Sequence, residues 1–337
     1  MSDAVHLGII GCGGIAKRHI DWSLARPECR FVALCDTNRE AAEQKRALIK
    51  QTRADQDPAV LTDYRELLAR VDVDGVLVLL PHSLHHPVSK AALEAGKHVL
   101  VEKPMTTTAA EARDLLDTSR RTGKLLGIGY QRSYMSEYLY VRRMVLNGDI
   151  GRVRFMTGHV EQAWYAGVLK GKGGKTWRSD PKQAGGGQLV DTGSHTCAAL
   201  LYVSDMDPVE VFAFIDNCGL EVDVDTSMAV RFAQGAQATL TVGGFGYSCT
   251  ESIRVVGDKS SARIFFRTVK EQALEVDGQV IDAKAAIPAS NPNASFIDAI
   301  LGKGAIGADA RLGLRVAQLS EAAYESARKG LPVKVAV

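Results

Sequence analysis

Three stretches of this chain combine residue types and spacings that could move a proton or hold a charged ligand. Gly185-Gly186-Gly187-Gln188-Leu189-Val190-Asp191-Thr192-Gly193-Ser194-His195 puts a carboxylate four residues before an imidazole. The run that follows, to about Val203, has helical character, so one helix face carries Asp191 and His195. Asp191 can then orient the imidazole, raise its basicity and stabilise its charged form. The competing interpretation is a helix-start aspartate paired with a core histidine. Glu102-Lys103-Pro104 follows the apolar run Val99-Leu100-Val101. Pro104 has no N–H for a ladder, so the strand ends there and leaves Glu102 and Lys103 at the carboxyl edge of a sheet, where open α/β sheets bind ligands. A cation at that edge serves either a salt bridge or a ligand. Gly11-Cys12-Gly13-Gly14-Ile15-Ala16 is G-x-G-x-x-A. Gly11 permits a tight turn, Gly13 admits a pyrophosphate to the backbone, and Ala16 allows close helix–strand packing.

The surrounding elements give these stretches their context. Val5 to Ile10 predicts a strand that runs into the glycine turn, and a helix follows to about Ala25; its free N–H groups suit phosphates, with Gly14 and Ile15 at the turn. A second strand, Phe31 to Cys35, ends in Asp36, and 36 − 11 = 25 residues is near the spacing of a ribose-binding carboxylate. Asp36 favours NAD, because it would repel a 2′-phosphate; Arg39 leaves NADP open. A third buried strand, Gly75 to Leu80, ends at Pro81-His82-Ser83-Leu84-His85-His86-Pro87. The histidines lack a carboxylate or cysteine cluster, so this is read as a ligand-edge loop with no metal. Thr108 and Glu111 form a capping box, and a strand from Leu125 to Tyr130 ends at Gln131-Arg132. This β–α alternation makes residues 1–130 one doubly wound, parallel-sheet domain.

From Arg152 the pattern shifts to longer, alternating strands, which predicts a mostly antiparallel sheet open on one face to helices, in a second domain spanning 131–337. Gly167 to Gly174 reads as a mobile loop, and Lys170, Lys172, Lys175, Arg178 and Lys182 as a solvated run or, alternatively, an anion contact. Trp164, Tyr165 and Trp177 could stack on a sugar face or pack in the core.

With 337 residues, 46% hydrophobic and 24% charged, the chain has room for two ordinary globular domains. A net charge of +2 recruits neither nucleic acid nor an acidic membrane. The six cysteines have no C-x-x-C spacing, and the expected setting is soluble and cytoplasmic, with no signal peptide or membrane span.

Gly11-x-Gly13-x-x-Ala16, Pro81-His82-x-x-His85, Glu102-Lys103-Pro104, Gly129-Tyr130-Gln131-Arg132, and Gly185-Gly186-Gly187-x-Leu189-x-Asp191-x-Gly193-x-His195 occur in that order. The sequence, to its closing Tyr324-Glu325-Ser326-Ala327-Arg328 and Pro332-Val333, resembles the glucose–fructose oxidoreductase / inositol dehydrogenase / rhizopine-catabolism (Gfo/Idh/MocA) family. The resemblance implies an α/β protein with an N-terminal Rossmann domain and a C-terminal domain that binds substrate and forms homodimers or homotetramers. It implies NAD(H)-dependent oxidation or reduction of a secondary alcohol on a sugar, a sugar derivative or a cyclitol. Lys103, Asp191 and His195 would be catalytic: His195 as base, Lys103 steadying charge on the same oxygen, and Asp191 holding the substrate. Pro81, His82, His85, Glu102, Lys103 and Gln131 would join Gly11, Gly13, Gly14, Ile15, Ala16, Asp36 and Arg39 at the cofactor, and Arg132, Trp164 and Trp177 would join the catalytic three at the substrate. His82 stands where asparagine is usual, and Ala198 where many members carry aspartate. The rivals are an NAD-assisted glycoside-cleaving enzyme and a non-catalytic NAD-binding sensor on the same fold.

Overall fold

The computed structural model describes residues 4–169, 176–268 and 271–336. Lys170, Lys172 and Lys175, with most of the loop expected over Gly167 to Gly174, lie outside them. The chain forms two compact units.

The first unit comprises Met1–Met105, Ala110–Gly129 and Ser290–Ala310. Its six strands are β1 (Val5–Ile10), β2 (Cys29–Cys35), β3 (Ala59–Leu61), β4 (Gly75–Val78), β5 (His98–Val101) and β6 (Leu126–Ile128). They lie in the order β3-β2-β1-β4-β5-β6, and every neighbouring pair is parallel. Leu7, Ile9, Leu34, Val76, Leu77, Val99 and Leu100 are fully buried, as a sheet covered by helices on both faces requires. Strand order reverses between β1 and β4, so the segments after these two strands diverge and leave a crevice at their carboxyl ends.

The first unit also takes back a late segment, a departure from the single boundary expected after residue 130. The helix Pro292–Ile300 begins with Asn291 accepting from Ala294 N and Pro292 in its first turn. Its buried Phe296 and Ile297 complete the core built by Leu7, Ile9, Leu77 and Leu100. Arg26 grips Asp298 through both terminal nitrogens, at 2.9 and 2.6 Å, and Lys303 reaches Glu28 at 3.1 Å. An apolar helix face that fills the first core outweighs its distance along the chain.

The second unit comprises Thr106–Ala109, Tyr130–Ala289 and Arg311–Val337. Its nine strands are β7 (Val153–Glu161), β8 (Pro208–Asp216), β9 (Asp225–Phe232), β10 (Gln237–Gly243), β11 (Thr250–Gly257), β12 (Ser261–Thr268), β13 (Glu271–Val276), β14 (Gln279–Ile281) and β15 (Val333–Lys334). The order is β14-β13-β12-β11-β7-β10-β9-β8-β15, antiparallel except between β7 and β10. β9 and β10 alternate residue by residue, burying Met228, Val230, Phe232, Ala238, Leu240 and Val242. The helix Gly193–Ser204 packs on β7, β10 and β11. A Cβ at Gly158 would come within 3.1 Å of Thr196 Cγ2, so glycine lets helix and sheet close. Phe155 and Phe214 are exposed, and a hollow of about 540 Å³ lies over Phe155, Phe212, Ala229, Arg231 and Thr239. The α/β class and mixed, mostly antiparallel second sheet agree with the sequence; the short β3, the strand β13 and the edge strands β14 and β15 were not anticipated. No helix among the described residues is long and apolar enough to cross a membrane.

Candidate functional site

In the first unit the glycine turn leaves β1 at Gly11, whose φ of +100° and whose 2.3 Å gap between a notional Cβ and Leu79 O exclude any other residue. Gly13 and Gly14 face open space, with no atom within 4 Å of a notional Cβ. That bare backbone, followed by the helix Ala16–Leu24, fits the approach of a pyrophosphate. Ile15 is exposed and Ala16 fully buried against the sheet. Asp36 follows β2 and accepts from Cys12 N at 2.7 Å and Asn38 N at 2.8 Å. Its oxygens therefore sit fixed beside the glycine turn, with lone pairs remaining for ribose hydroxyls. Arg39 is well exposed and pairs with Glu43 at 3.6 Å.

The edge after β4 and β5 is braced from beneath. His85 is fully buried, with ring nitrogens 2.7 Å from Pro104 O and 2.8 Å from Leu80 O, so it ties the two strand exits together instead of facing a cofactor. Burial lowers its pKa, against the pull of the two carbonyls. His82 is buried against it, and His86 pairs with Asp114 at 2.7 Å. Among the described residues no group of His, Cys, Asp or Glu converges as metal ligands do. Glu102 faces inward: Oε1 meets His19 Nε2 at 2.9 Å and Oε2 accepts from Lys103 N at 3.0 Å. Burial pushes the Glu102 carboxyl up, but His19, the Lys103 charge and the Lys103 N–H outweigh it and hold it below the usual range. Gly129 is explained here, because a Cβ would stand 2.7 Å from Glu102 Oε1. Glu102 thus supports the edge on which Pro81 and the half-buried Lys103 stand.

In the second unit, the helix begins at Gly193, so Asp191 lies in the turn before it and only His195 is helical. This corrects the expectation of one helix face carrying both. The turn is clamped: Asp223, nearly fully buried, accepts from Gly187 N at 2.6 Å, Leu189 N at 2.7 Å and Tyr324 OH at 2.6 Å. Burial pushes the Asp223 carboxyl up, and the bonds from Tyr324, Leu189 and Gly187 offset part of that rise. A Cβ at Gly187 would stand 1.9 Å from Asp223 O, and one at Gly186 2.3 Å from Tyr324 OH. Asp191 is 5% exposed, and its Oδ2 accepts from Trp164 Nε1 at 2.8 Å and Arg178 Nε at 3.0 Å. Arg178 also lies over the Trp177 ring at 4.4 Å. His195 is half-buried, edge-on to Tyr130 at 6.0 Å between ring centroids.

Two expected substrate contacts are used elsewhere. Arg132, beside the half-buried Gln131, is buried and paired through both Nε and a terminal nitrogen with Glu251, whose Oε1 also accepts from Tyr138 OH at 2.8 Å. This two-pronged pairing anchors the 3₁₀ turn Gln131–Tyr134 to β11. Trp164 is buried with Val168, Val222 and Val224, whereas Trp177 is half-buried. Sequence reading missed Arg178 as a partner of Asp191 because it stands in a run of surface cations. It missed Asp223 altogether, although a carboxylate between Val222 and Val224 was a signal.

Residues 5–130 match the sequence profile of an oxidoreductase family with an NAD-binding Rossmann fold, and residues 138–263 match the GFO/IDH/MocA C-terminal domain. The chain is 26% identical to D-glucoside 3-dehydrogenase of Escherichia coli K12, over 99% of this chain and 98% of that one. It is 31% identical to an uncharacterized oxidoreductase, ORF334, of Rhizobium meliloti, over 71% and 68% of the two chains. Among solved structures, aldose–aldose oxidoreductase from Caulobacter crescentus, complexed with glycerol, superposes with a TM-score of 0.85 at 26% identity, over 98% and 99%.

Proposed function

The chain belongs to the Gfo/Idh/MocA family of NAD-binding oxidoreductases, and on that premise we propose that it is a dehydrogenase or reductase acting on one secondary alcohol of a sugar or sugar derivative. The observation that carries the redox reading is the open backbone at Gly13 and Gly14 beside an Asp36 carboxylate already fixed by Cys12 N and Asn38 N. Gly11, Gly13, Gly14 and the helix start at Ala16 would hold the pyrophosphate, and Asp36 the ribose hydroxyls. Bound NAD supplies a hydride acceptor or donor at its nicotinamide C4. The protein's part is proton and charge management. His195 takes the hydroxyl proton in oxidation or returns it in reduction, and Lys103 donates a hydrogen bond to the same oxygen as charge develops. Asp191 binds a neighbouring hydroxyl. The sugar class is supported by the near full-length likeness to a glucoside dehydrogenase. The six free cysteines fit a cytoplasmic setting, and the apolar hollow with Phe155 and Phe214 fits burial in a homodimer or homotetramer.

The test is a screen of aldoses, glycosides, sugar acids and cyclitols with NAD, and of keto-sugars with NADH, followed at the nicotinamide absorbance. Turnover of at least one sugar with stoichiometric NADH is expected. Binding of NADH without turnover of any of these compounds overturns the reading.

A further inference from the structure

Asp191 is a nearly buried carboxylate, and among the described residues a neutral indole, Trp164, and a guanidinium, Arg178, both donate to its Oδ2. Trp164 is packed among Val168, Val222 and Val224, so its N–H is a fixed pointer but supplies no charge. A carboxylate withdrawn from water needs a compensating charge as well as hydrogen bonds. Arg178 brings both to Oδ2, although 44% of its side chain remains exposed. Its guanidinium is steadied by the Trp177 ring, 4.4 Å away. The backbone that carries it is also set: Ser179 N bonds to Thr176 O at 3.1 Å, Asp180 N to Trp177 O at 3.2 Å, and Asp180 caps the next helix by accepting from Lys182 N. Arg178 is thereby presented to Asp191 by a short, locally bonded segment, while the Asp191 backbone is held independently through Gly187 O at 3.0 Å.

We propose that Arg178 is a positioning residue: with Trp164 it fixes the rotamer and the charge of Asp191, and it acts on the sugar only through that carboxylate. The proposal rests on the reading of Asp191 as a substrate ligand and adds the device that makes it one. An arginine suits the task better than a lysine, because its planar Nε–H has a defined direction and the face of the group can rest on an indole.

Two measurements on the full-length protein test it. The first is steady-state kinetics with NAD and the sugar turned over best, on Arg178→Gln, Arg178→Lys, Asp191→Asn and the double variant Arg178→Gln/Asp191→Asn. Arg178→Gln is expected to raise the sugar KM on the order of tenfold, with kcat within about threefold and NADH affinity unchanged. Arg178→Lys should recover part of the loss, and Arg178→Gln should add less than about twofold in the Asp191→Asn background. An equal rise in KM in both backgrounds overturns the proposal, because Arg178 would then meet the sugar directly. So does a kcat that falls with the folded fraction at constant KM, the mark of a purely structural side chain. If Asp191→Asn leaves KM and kcat unchanged, the reading of Asp191 fails and takes the proposal with it; if Asp191→Asn is impaired and Arg178→Gln is silent, only the proposal fails. The second measurement needs no substrate. The Trp164 indole N–H resonance, identified by its loss in Trp164→Phe, should move in Arg178→Gln and return toward wild type in Arg178→Lys. An unmoved resonance in Arg178→Gln overturns the proposal.

Discussion

Two glycine turns of this molecule use the same residue type for opposite ends. Gly13 and Gly14 in the first unit face open space, and nothing of the protein lies where their side chains would be. Gly186 and Gly187 in the second unit are pressed against Tyr324 and the Asp223 backbone, at 2.3 and 1.9 Å from a notional Cβ. The first turn is bare to admit a ligand. The second is bare because the chain itself occupies the space, and the reward is a rigid seat for Asp191. A run of glycines therefore announces close approach but does not say of what.

The largest effect that would break or sharpen this contrast lies in the two side chains assigned to the reaction, one in each unit. Lys103→Ala and His195→Ala should each lower kcat by roughly 10²–10⁴ while NADH affinity stays near wild type, because the dinucleotide is assigned to Gly11, Gly13 and Asp36. The decisive quantity is kcat per folded, NADH-competent molecule; a value within a few-fold of wild type in both variants removes the catalytic assignment.

The glycines themselves come next. Gly187→Ala forces a Cβ onto backbone that cannot step aside, and a loss of about 3 kcal/mol or more is expected in denaturant unfolding. Gly13→Ala should leave the unfolding midpoint within about 0.5 kcal/mol of wild type and weaken NADH on the order of tenfold in a fluorescence titration. Equal destabilisation by the two substitutions would erase the distinction.

A smaller effect is expected in cofactor choice. Asp36→Ala should narrow the preference for NADH over NADPH by removing the charge that opposes a 2′-phosphate. It also frees Cys12 N and Asn38 N, so some loss of NADH affinity should accompany the change. Intact protein that prefers NADPH would contradict the role given to Asp36.

The smallest effect concerns the returning segment of the first unit. The Arg26 hydrogen bond, with help from Lys303, holds the Glu28 carboxyl down at about 2, below its ordinary 4.5. A depressed native pKa means that the unfolded chain binds the proton first, so this contribution is complete above pH 4.5 and is lost as pH falls toward 2. Hydrogen exchange of the Pro292–Ile300 amides should quicken across that window relative to the β1 amides, and Glu28→Gln should flatten the difference. Because the pair is partly exposed, added salt should diminish it.

Much of the first unit was readable because its determinants are local. The strand Val5–Ile10, the turn at Gly11, the helix at Ala16 and the carboxylate after β2 follow one another within 32 residues, from Val5 to Asp36, and each is specified by backbone sterics or burial period. The return of Pro292–Ile300 was not readable. Its apolar face fits many cores, and only packing on Leu77 and Leu100 selects this one.

The second unit shows the same division at finer grain. Sequence by itself determined that Asp191 and His195 stand near a helix start, that three glycines precede them, and that alternating strands build a sheet. It did so because turn chemistry and period-two burial act between neighbours along the chain. Only the tertiary structure decided that Arg132 belongs to Glu251, Asp191 to Trp164 and Arg178, and the glycine turn to Asp223 and Tyr324. The bonded pairs Arg132–Glu251, Trp164–Asp191, Arg178–Asp191, Gly187–Asp223 and Asp223–Tyr324 are 119, 27, 13, 36 and 101 residues apart, and a charge has no sequence period that names its partner. Which carboxylate meets which donor is settled by burial, where an unpaired charge costs several kcal/mol, and burial is a property of the folded chain.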